Sequence, residues 1–172
     1  AGQLADLTDQ IAPYLAEFNP AVMNRFTFEG KVHGIPQTID MQLLYYRKSA
    51  LAAKNVQPPT TLEELNHVAN SVATPQMGGF FAGQDGGIGV LGLLLMWAAG
   101  LSEMNDTFTQ ATFNDPALYA SVAQFKQLFD SPGMVKSASA DWSDASPFIN
   151  GEAALQWGGL WDLPKATEAL GD

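Results

Sequence analysis

Two stretches of this chain are marked as helices at their ends and along one face, and short β-forming runs lie around them. Thr61 and Glu64 stand at capping-box spacing, and Leu62, Leu65, Val68, Ala69 and Val72 recur on one side, which predicts a helix over 60–73. Asp115-Pro116 opens a second helix with proline in its first turn. Leu118, Val122, Phe125, Leu128 and Phe129 keep the helical period there, and Ser131-Pro132-Gly133 stops it. Ile39–Arg47 reads as a strand buried on both faces, Phe80-Phe81 as a short strand, and Ala153–Trp157 as another buried strand. Strands and helices that alternate in this way belong to the α/β class.

The remaining segments fit the same class. Thr8 or Asp9 can cap a helix running to Phe18, with Pro13 tolerated early and Asn19-Pro20 ending it. Phe26 to Pro36 reads as a hairpin that turns at Glu29-Gly30. The apolar run 88–99 is too short to span a bilayer and is expected to be a buried helix. Asp144 or Ser146 can cap a turn through Phe148, and Trp161 to Leu170 can form a last helix. With 172 residues and neither repeats nor low-complexity tracts, the length suggests one folded domain.

Charge and residue types exclude several functions. Eighteen acidic side chains against eight basic ones give a net charge of −10, with no basic cluster, which argues against nucleic acid or an anionic membrane as partner. Without cysteine there can be no disulfide, thiolate metal site or thiol nucleophile. His33 and His67 have no second ligand at metal-binding spacing, so no metal or cofactor is expected. No serine lies in a nucleophile elbow. The loop 83–87 lacks the spacing of a phosphate loop, although a strand-end loop in an α/β fold is where ligands bind. Starting at Ala1 without a basic-then-apolar leader, the sequence reads as a processed or a recombinant product, with any export signal out of view.

Two places combine carboxylates with aromatics or apolar strand. Asp40 interrupts the apolar run after Ile39, and a buried carboxylate there needs a donor, from the protein or from a polyhydroxylated ligand. In Gln156-Trp157-Gly158-Gly159-Leu160-Trp161-Asp162, two glycines between tryptophans would turn the backbone sharply and bring a flat ring to an edge. Such a ring can stack on the C–H face of a sugar while carboxylates and amides take the hydroxyls; the other reading is a core tryptophan.

The run Gly30-Lys-Val-His-Gly-Ile-Pro-Gln-Thr-Ile-Asp40, then Leu44-Tyr-Tyr-Arg-Lys48, then Pro58-Pro-Thr-Thr-Leu-Glu-Glu-Leu65 resembles a conserved stretch of one family. So does Phe148-Ile-Asn-Gly-Glu-Ala-Ala-Leu155 followed by Gly158-Gly-Leu-Trp161. The family is the extracellular solute-binding proteins of ABC importers, family 1, which are maltose-binding-protein-like. The resemblance implies an incomplete two-lobe α/β fold of the periplasmic-binding-protein type II. Residues 1–38 would form the edge of the first lobe and the hairpin leading to the hinge. Residues 39–172 would form the crossover strand and most of the second lobe, with the family's opening strands and closing helices absent.

By the same resemblance, the chain would bind a carbohydrate between lobes, partner the importer's membrane permease, and work outside the cytoplasm in the periplasm or anchored on the cell surface. It would carry out no catalysis. Asp40 would contact solute at the hinge and Trp161 would stack on the sugar. Gln84 and Asp85 would offer polar contacts from a strand-end loop, and Trp157 and Asp162 would flank the stacking ring. The family's usual Asn-Lys-Asp after the crossover strand is replaced by Arg47-Lys48-Ser49. A glycoside hydrolase using paired carboxylates is the alternative from another class. A third reading is structural, with self-association through an open sheet edge.

Overall fold

The computed structural model describes residues 2–84, 87–105, 107, 109–136, 138 and 140–171, with backbone alone at 88–90. The chain divides into two units, Ala1–Asp40 and Met41–Asp172.

The first unit begins with helix α1 (Thr8–Ile11), which passes into a 3-10 turn, Ala12–Glu17. Proline stands in the opening turn of that 3-10 segment, where its missing N–H costs nothing. The expected single helix is thus split, and α2 (Pro20–Met23) follows, capped by the Asn19 side chain. Strands β1 (Thr27–Phe28) and β2 (Lys31–Val32) pair as a hairpin. Glu29 and Gly30 both take positive φ, 52° and 75°, the geometry of a tight hairpin turn that matches strand twist. Ile11, Met23 and Val32 form a small core with Phe18 against it. Half-buried His33 sets its Nδ1 3.0 Å from the Ala5 carbonyl oxygen, so it is occupied structurally. The Asp6 carboxylate accepts from the Thr8 hydroxyl and N–H and pairs with Lys31 at 3.1 Å, which holds it far below the ordinary carboxylate range.

The second unit is built on a three-stranded sheet in the order β3-β5-β4. Strand β3 (Gln42–Tyr46) runs antiparallel to β5 (Ala153–Gly159), and β4 (Gly78–Phe81) runs parallel to β5. Around them lie α3 (Lys48–Ala53), α4 (Leu62–Val72), α5 (Ile88–Ala98), α6 (Pro116–Asp130), α7 (Ser146–Ile149) and α8 (Leu163–Leu170). The parallel β4–β5 pair and the flanking helices place the chain in the α/β class, with an antiparallel edge strand. Central β5 is buried almost throughout. Its Ala154 and Leu155 join Phe80, Val68, Ala69, Val72, Leu128 and others in the main core.

Local signals account for several of these elements. The Thr61 side chain accepts from Glu64 N–H at 3.1 Å, which starts α4. The return arm of the capping box shifts by one residue, because the Glu64 carboxylate takes the N–H and hydroxyl of Thr60 at 2.7 Å each. Those two bonds pull the Glu64 pKa down. Asp115 Oδ1 accepts from Ala117 N–H at 2.8 Å and opens α6. Helix α5 is only partly buried: Leu91, Leu95 and Met96 face the core while Leu93 and Trp97 are exposed.

Two expectations are corrected. The strand expected over Ile39–Arg47 is shorter, and β3 is exposed to half-buried rather than buried on both faces, because among the described residues it is an edge strand paired only with β5. Asp40 consequently lies outside the strand and is exposed, so the cost of burying its charge does not arise.

Candidate functional site

Strand β5 leaves the sheet through Gly158 and Gly159 into a 3-10 turn, Leu160–Asp162, and then α8. The two glycines do not make the turn. Both lie inside β5, and Gly159 is extended, with φ −108° and ψ 173°. What they supply is space. A Cβ on Gly159 would stand 2.1 Å from the Trp161 ring, and one on Gly158 would stand 2.5 Å from Asp162 Oδ2. The indole and the carboxylate therefore fold back over the end of the strand that precedes them.

Trp161 is 41% exposed, and its Nε1–H donates to the Ser143 carbonyl at 3.2 Å. The half-buried ring of Trp142 meets it nearly edge to face, with centroids 5.3 Å apart and planes at 74°. Trp142 stands in a loop far from the Trp-Gly-Gly-Leu-Trp run, and nothing in its own neighbourhood of the sequence signals the pairing. Trp157 serves a different purpose. It packs against the main core and its indole N–H donates to Gln42 Oε1 at 2.8 Å, joining β5 to β3.

Polar groups back this aromatic pair. Asp144 Oδ1 accepts from Ser146 N–H at 2.9 Å and from the Ser146 hydroxyl at 2.6 Å, and Lys165 Nζ lies 3.5 Å away. The Ser146 bonds, with Lys165 adding less, hold Asp144 below its ordinary pKa. Asp162 is shifted the other way. It is 5% exposed, and burial raises its pKa most, the Asp144 charge adding to it; hydrogen bonds from the Gly159 and Ala145 N–H groups and the Lys165 charge oppose the rise. Its Oδ2 is buried without a hydrogen-bond partner. Buried Gln156 bonds the same loop, donating to Asp144 O at 2.8 Å and accepting from Phe148 N–H at 3.0 Å.

Because β4 and β5 are parallel, the loop after β4 leaves the sheet at the same end as the Trp161 turn. Gln84 is exposed in that loop, whereas Asp85 lies outside the described residues. Asp40 closes the first unit as an exposed residue. Among the described residues no group of three or more His, Asp or Glu could hold a metal ion. The second unit thus presents an exposed indole, a second indole against it, and hydrogen-bonding groups at the carboxyl end of a parallel strand pair, which suits a neutral ligand with one apolar face.

The family model for bacterial extracellular solute-binding proteins matches residues 1–172, the entire chain. The chain belongs to this family. Among its relatives, the maltodextrin-binding protein MdxE of Bacillus subtilis strain 168 is 28% identical over 174 residues, a match that covers 98% of this chain and 42% of that protein. The GacH receptor of Streptomyces glaucescens, solved unliganded and with acarbose, superposes with a TM-score of 0.80 at 24% identity, covering 98% of this chain and 44% of that one. An ABC transporter solute-binding protein of Thermotoga lettingae, solved with α-D-tagatose, gives a TM-score of 0.79 at 18% identity, covering 98% and 46%. This member of the solute-binding proteins shares their α/β fold and spans less than half the length of these relatives.

Proposed function

We propose that this chain is part of the solute-binding component of an ABC importer, that it works outside the cytoplasmic membrane, and that its solute is a carbohydrate. The observation that carries the reading is the exposed Trp161 ring, seated over Gly159 at the end of β5 in a chain of this family. A relative named for maltodextrin and similar structures solved with acarbose and with tagatose support a sugar. An indole face takes the apolar C–H face of a pyranose, and a net charge of −10 disfavours anionic solutes. In this reading residues 1–38 belong to the first lobe and 39–172 to the crossover strand and second lobe. Asp40, Gln84 and Asp85 supply hydrogen bonds to hydroxyls, Trp157 flanks the site, and a membrane permease is the partner.

One observation favours the glycoside-hydrolase alternative: Asp144 and Asp162 are shifted in opposite directions, the pattern of an acid–base pair. Against it, Asp162 is buried and Asp144 is already occupied by Ser146 and Lys165. The reading is therefore binding without conversion of the solute.

Tryptophan fluorescence titrated with maltose, maltodextrin and tagatose tests it, with Trp161→Ala alongside. A saturable change that disappears in the variant is expected. Binding that survives Trp161→Ala overturns the assignment of the site, and release of reducing ends from an oligosaccharide overturns the binding-only reading.

A further inference from the structure

Gln156 is one of two polar or charged side chains buried among the described residues, and it is 1% exposed. It stands in the middle of β5 after Ala153, Ala154 and Leu155, with Tyr45 of β3 and Phe81 of β4 beside it in the sheet. An amide in such a place is costly unless its oxygen and its nitrogen are both bonded. Both are, and neither partner belongs to the sheet. Nε2–H donates to Asp144 O at 2.8 Å, and Oε1 accepts from Phe148 N–H at 3.0 Å.

The two partners lie on either side of the entrance to α7. Ala145 precedes that helix and has no side chain to cap it, so the N–H of Phe148 finds its acceptor on β5 instead. The Asp144 carbonyl closes the short leg Trp142-Ser143-Asp144. Bonds inside this leg give it shape: Trp142 N–H donates to Asp141 Oδ1 at 2.7 Å, and Asp144 N–H to Asp141 O at 3.1 Å. Its place against β5 rests on other contacts. The Trp161 bond to Ser143 O is at the surface, and the Lys165–Asp144 pair has both side chains well exposed, where ion pairs contribute little. Ala145 and Pro147 are buried, but burial of apolar surface has no direction. The Gln156 amide is the contact that is both buried and directional. It also closes a circuit, because Trp161 follows on the same strand exit and meets the Trp142 ring at 5.3 Å.

We propose that Gln156 is a positioning residue for the aromatic ligand site, its side-chain amide clamping Asp144 and Phe148 so that Trp142 and the Ser143 carbonyl are held against Trp161. The proposal rests on the reading of Trp161 as the sugar-stacking ring. It gives a buried residue of the central strand a part in ligand affinity without contact between Gln156 and the ligand.

The test uses the whole chain and two independent readouts. The first is the exciton couplet that two indoles at this separation give in circular dichroism, measured without ligand and calibrated by Trp142→Phe. The second is titration with maltodextrin, maltose and tagatose. Gln156→Met keeps nearly the same length and volume and removes both bonds, so a merely space-filling role predicts no change. The clamp predicts that this variant loses the couplet as fully as Trp142→Phe does. It is also expected to bind roughly tenfold more weakly, the lower end of what removing an orienting outer group costs a site. Gln156→Asn, too short to reach both partners, is expected to behave in the same way and is read if the methionine variant does not fold. In the wild type the Phe148 N–H is expected to exchange slowly with deuterium, and exchange at the rate of an unprotected amide overturns the clamp without any variant. An undiminished couplet in a folded variant overturns the proposal, as does a lost couplet with wild-type affinity. If the couplet behaves as expected but all three sugars leave the wild type unchanged, the positioning of Trp142 stands and the carbohydrate reading fails. If the wild type binds and the folded variants keep both couplet and affinity, the carbohydrate reading stands and the positioning role fails.

Discussion

The Tyr45 hydroxyl donates to the Gly159 carbonyl at 2.8 Å, across 114 residues of sequence. It fastens β3 to the last residue of β5, immediately before the turn that carries Trp161. Tyr45→Phe removes the donor and leaves that carbonyl to find water or stay unpaired. A loss of about 1 kcal/mol is expected, seen as a lower urea midpoint with an unchanged slope. A midpoint equal to wild type would mean that the bond contributes nothing net.

Gly159→Ala separates ring placement from backbone conformation. At φ −108° the backbone accepts alanine without strain, so the new methyl acts only through its clash with the Trp161 ring 2.1 Å away. The ring must leave the strand end. The expected result is a shifted tryptophan emission, loss of the sugar-dependent signal, and about 1–3 kcal/mol of destabilisation from overpacking. Sugar affinity unchanged in this variant would show that the site does not depend on where Trp161 lies.

How far the sequence could be read depended on how local each signal was. Thr61 with Glu64, Asp115-Pro116 and Glu29-Gly30 act within one turn of chain, and each formed the expected start or turn. The strand around Asp40 was overextended because an apolar run does not reveal which face is covered, and β3 is a half-exposed edge among the described residues. Gly158-Gly159 was visible as a special feature, but its reason was not. The glycines make way for side chains that follow them rather than for a bend. Trp142 and Asp144 approach Trp161 and Lys165 through tertiary packing, and no spacing rule joins positions 18 to 21 residues apart across a short helix and a strand.

Arg47 occupies the place where the resemblance departs from its family, and its role is visible only in three dimensions. It precedes α3 but makes no side-chain cap there. Its Nη2 instead donates to the carbonyls of Phe148 and Ile149 at the end of α7, where a cation suits the helix dipole, and the guanidinium lies 5.2 Å from the Phe148 ring centroid. Arg47→Ala is expected to cost about 2–3 kcal/mol, the scale of buried hydrogen bonds to a charged group. Arg47→Lys is expected to recover little of it, since one ammonium cannot reproduce a planar group shared between carbonyls and a ring. Urea denaturation of both variants decides this, and full recovery by lysine would refute the geometric argument.

Asp144 and Asp162 predict opposite responses to pH from neighbouring positions. The Asp144 pKa is lowered by Ser146, so its ionised form favours the fold. That contribution is complete above the unfolded pKa and disappears as pH falls through the folded one. The Asp162 pKa is raised above 3.8, first by burial and further by the Asp144 charge, so the folded state holds its proton more tightly than the unfolded chain. Its ionisation therefore costs nothing below 3.8, and the cost grows as pH rises through the raised value and is complete above it. Asp144→Asn should destabilise at neutral pH, by no more than about 1 kcal/mol because the side chain is largely solvated, and match wild type in acid. Asp162→Asn should melt higher than wild type at neutral pH, with the advantage vanishing in acid. Thermal melts of the three proteins from about pH 3 to about pH 8 check both signs. A neutral-pH loss in Asp162→Asn would mean that the ionised carboxylate stabilises the β5 exit after all, reversing the direction inferred from its burial.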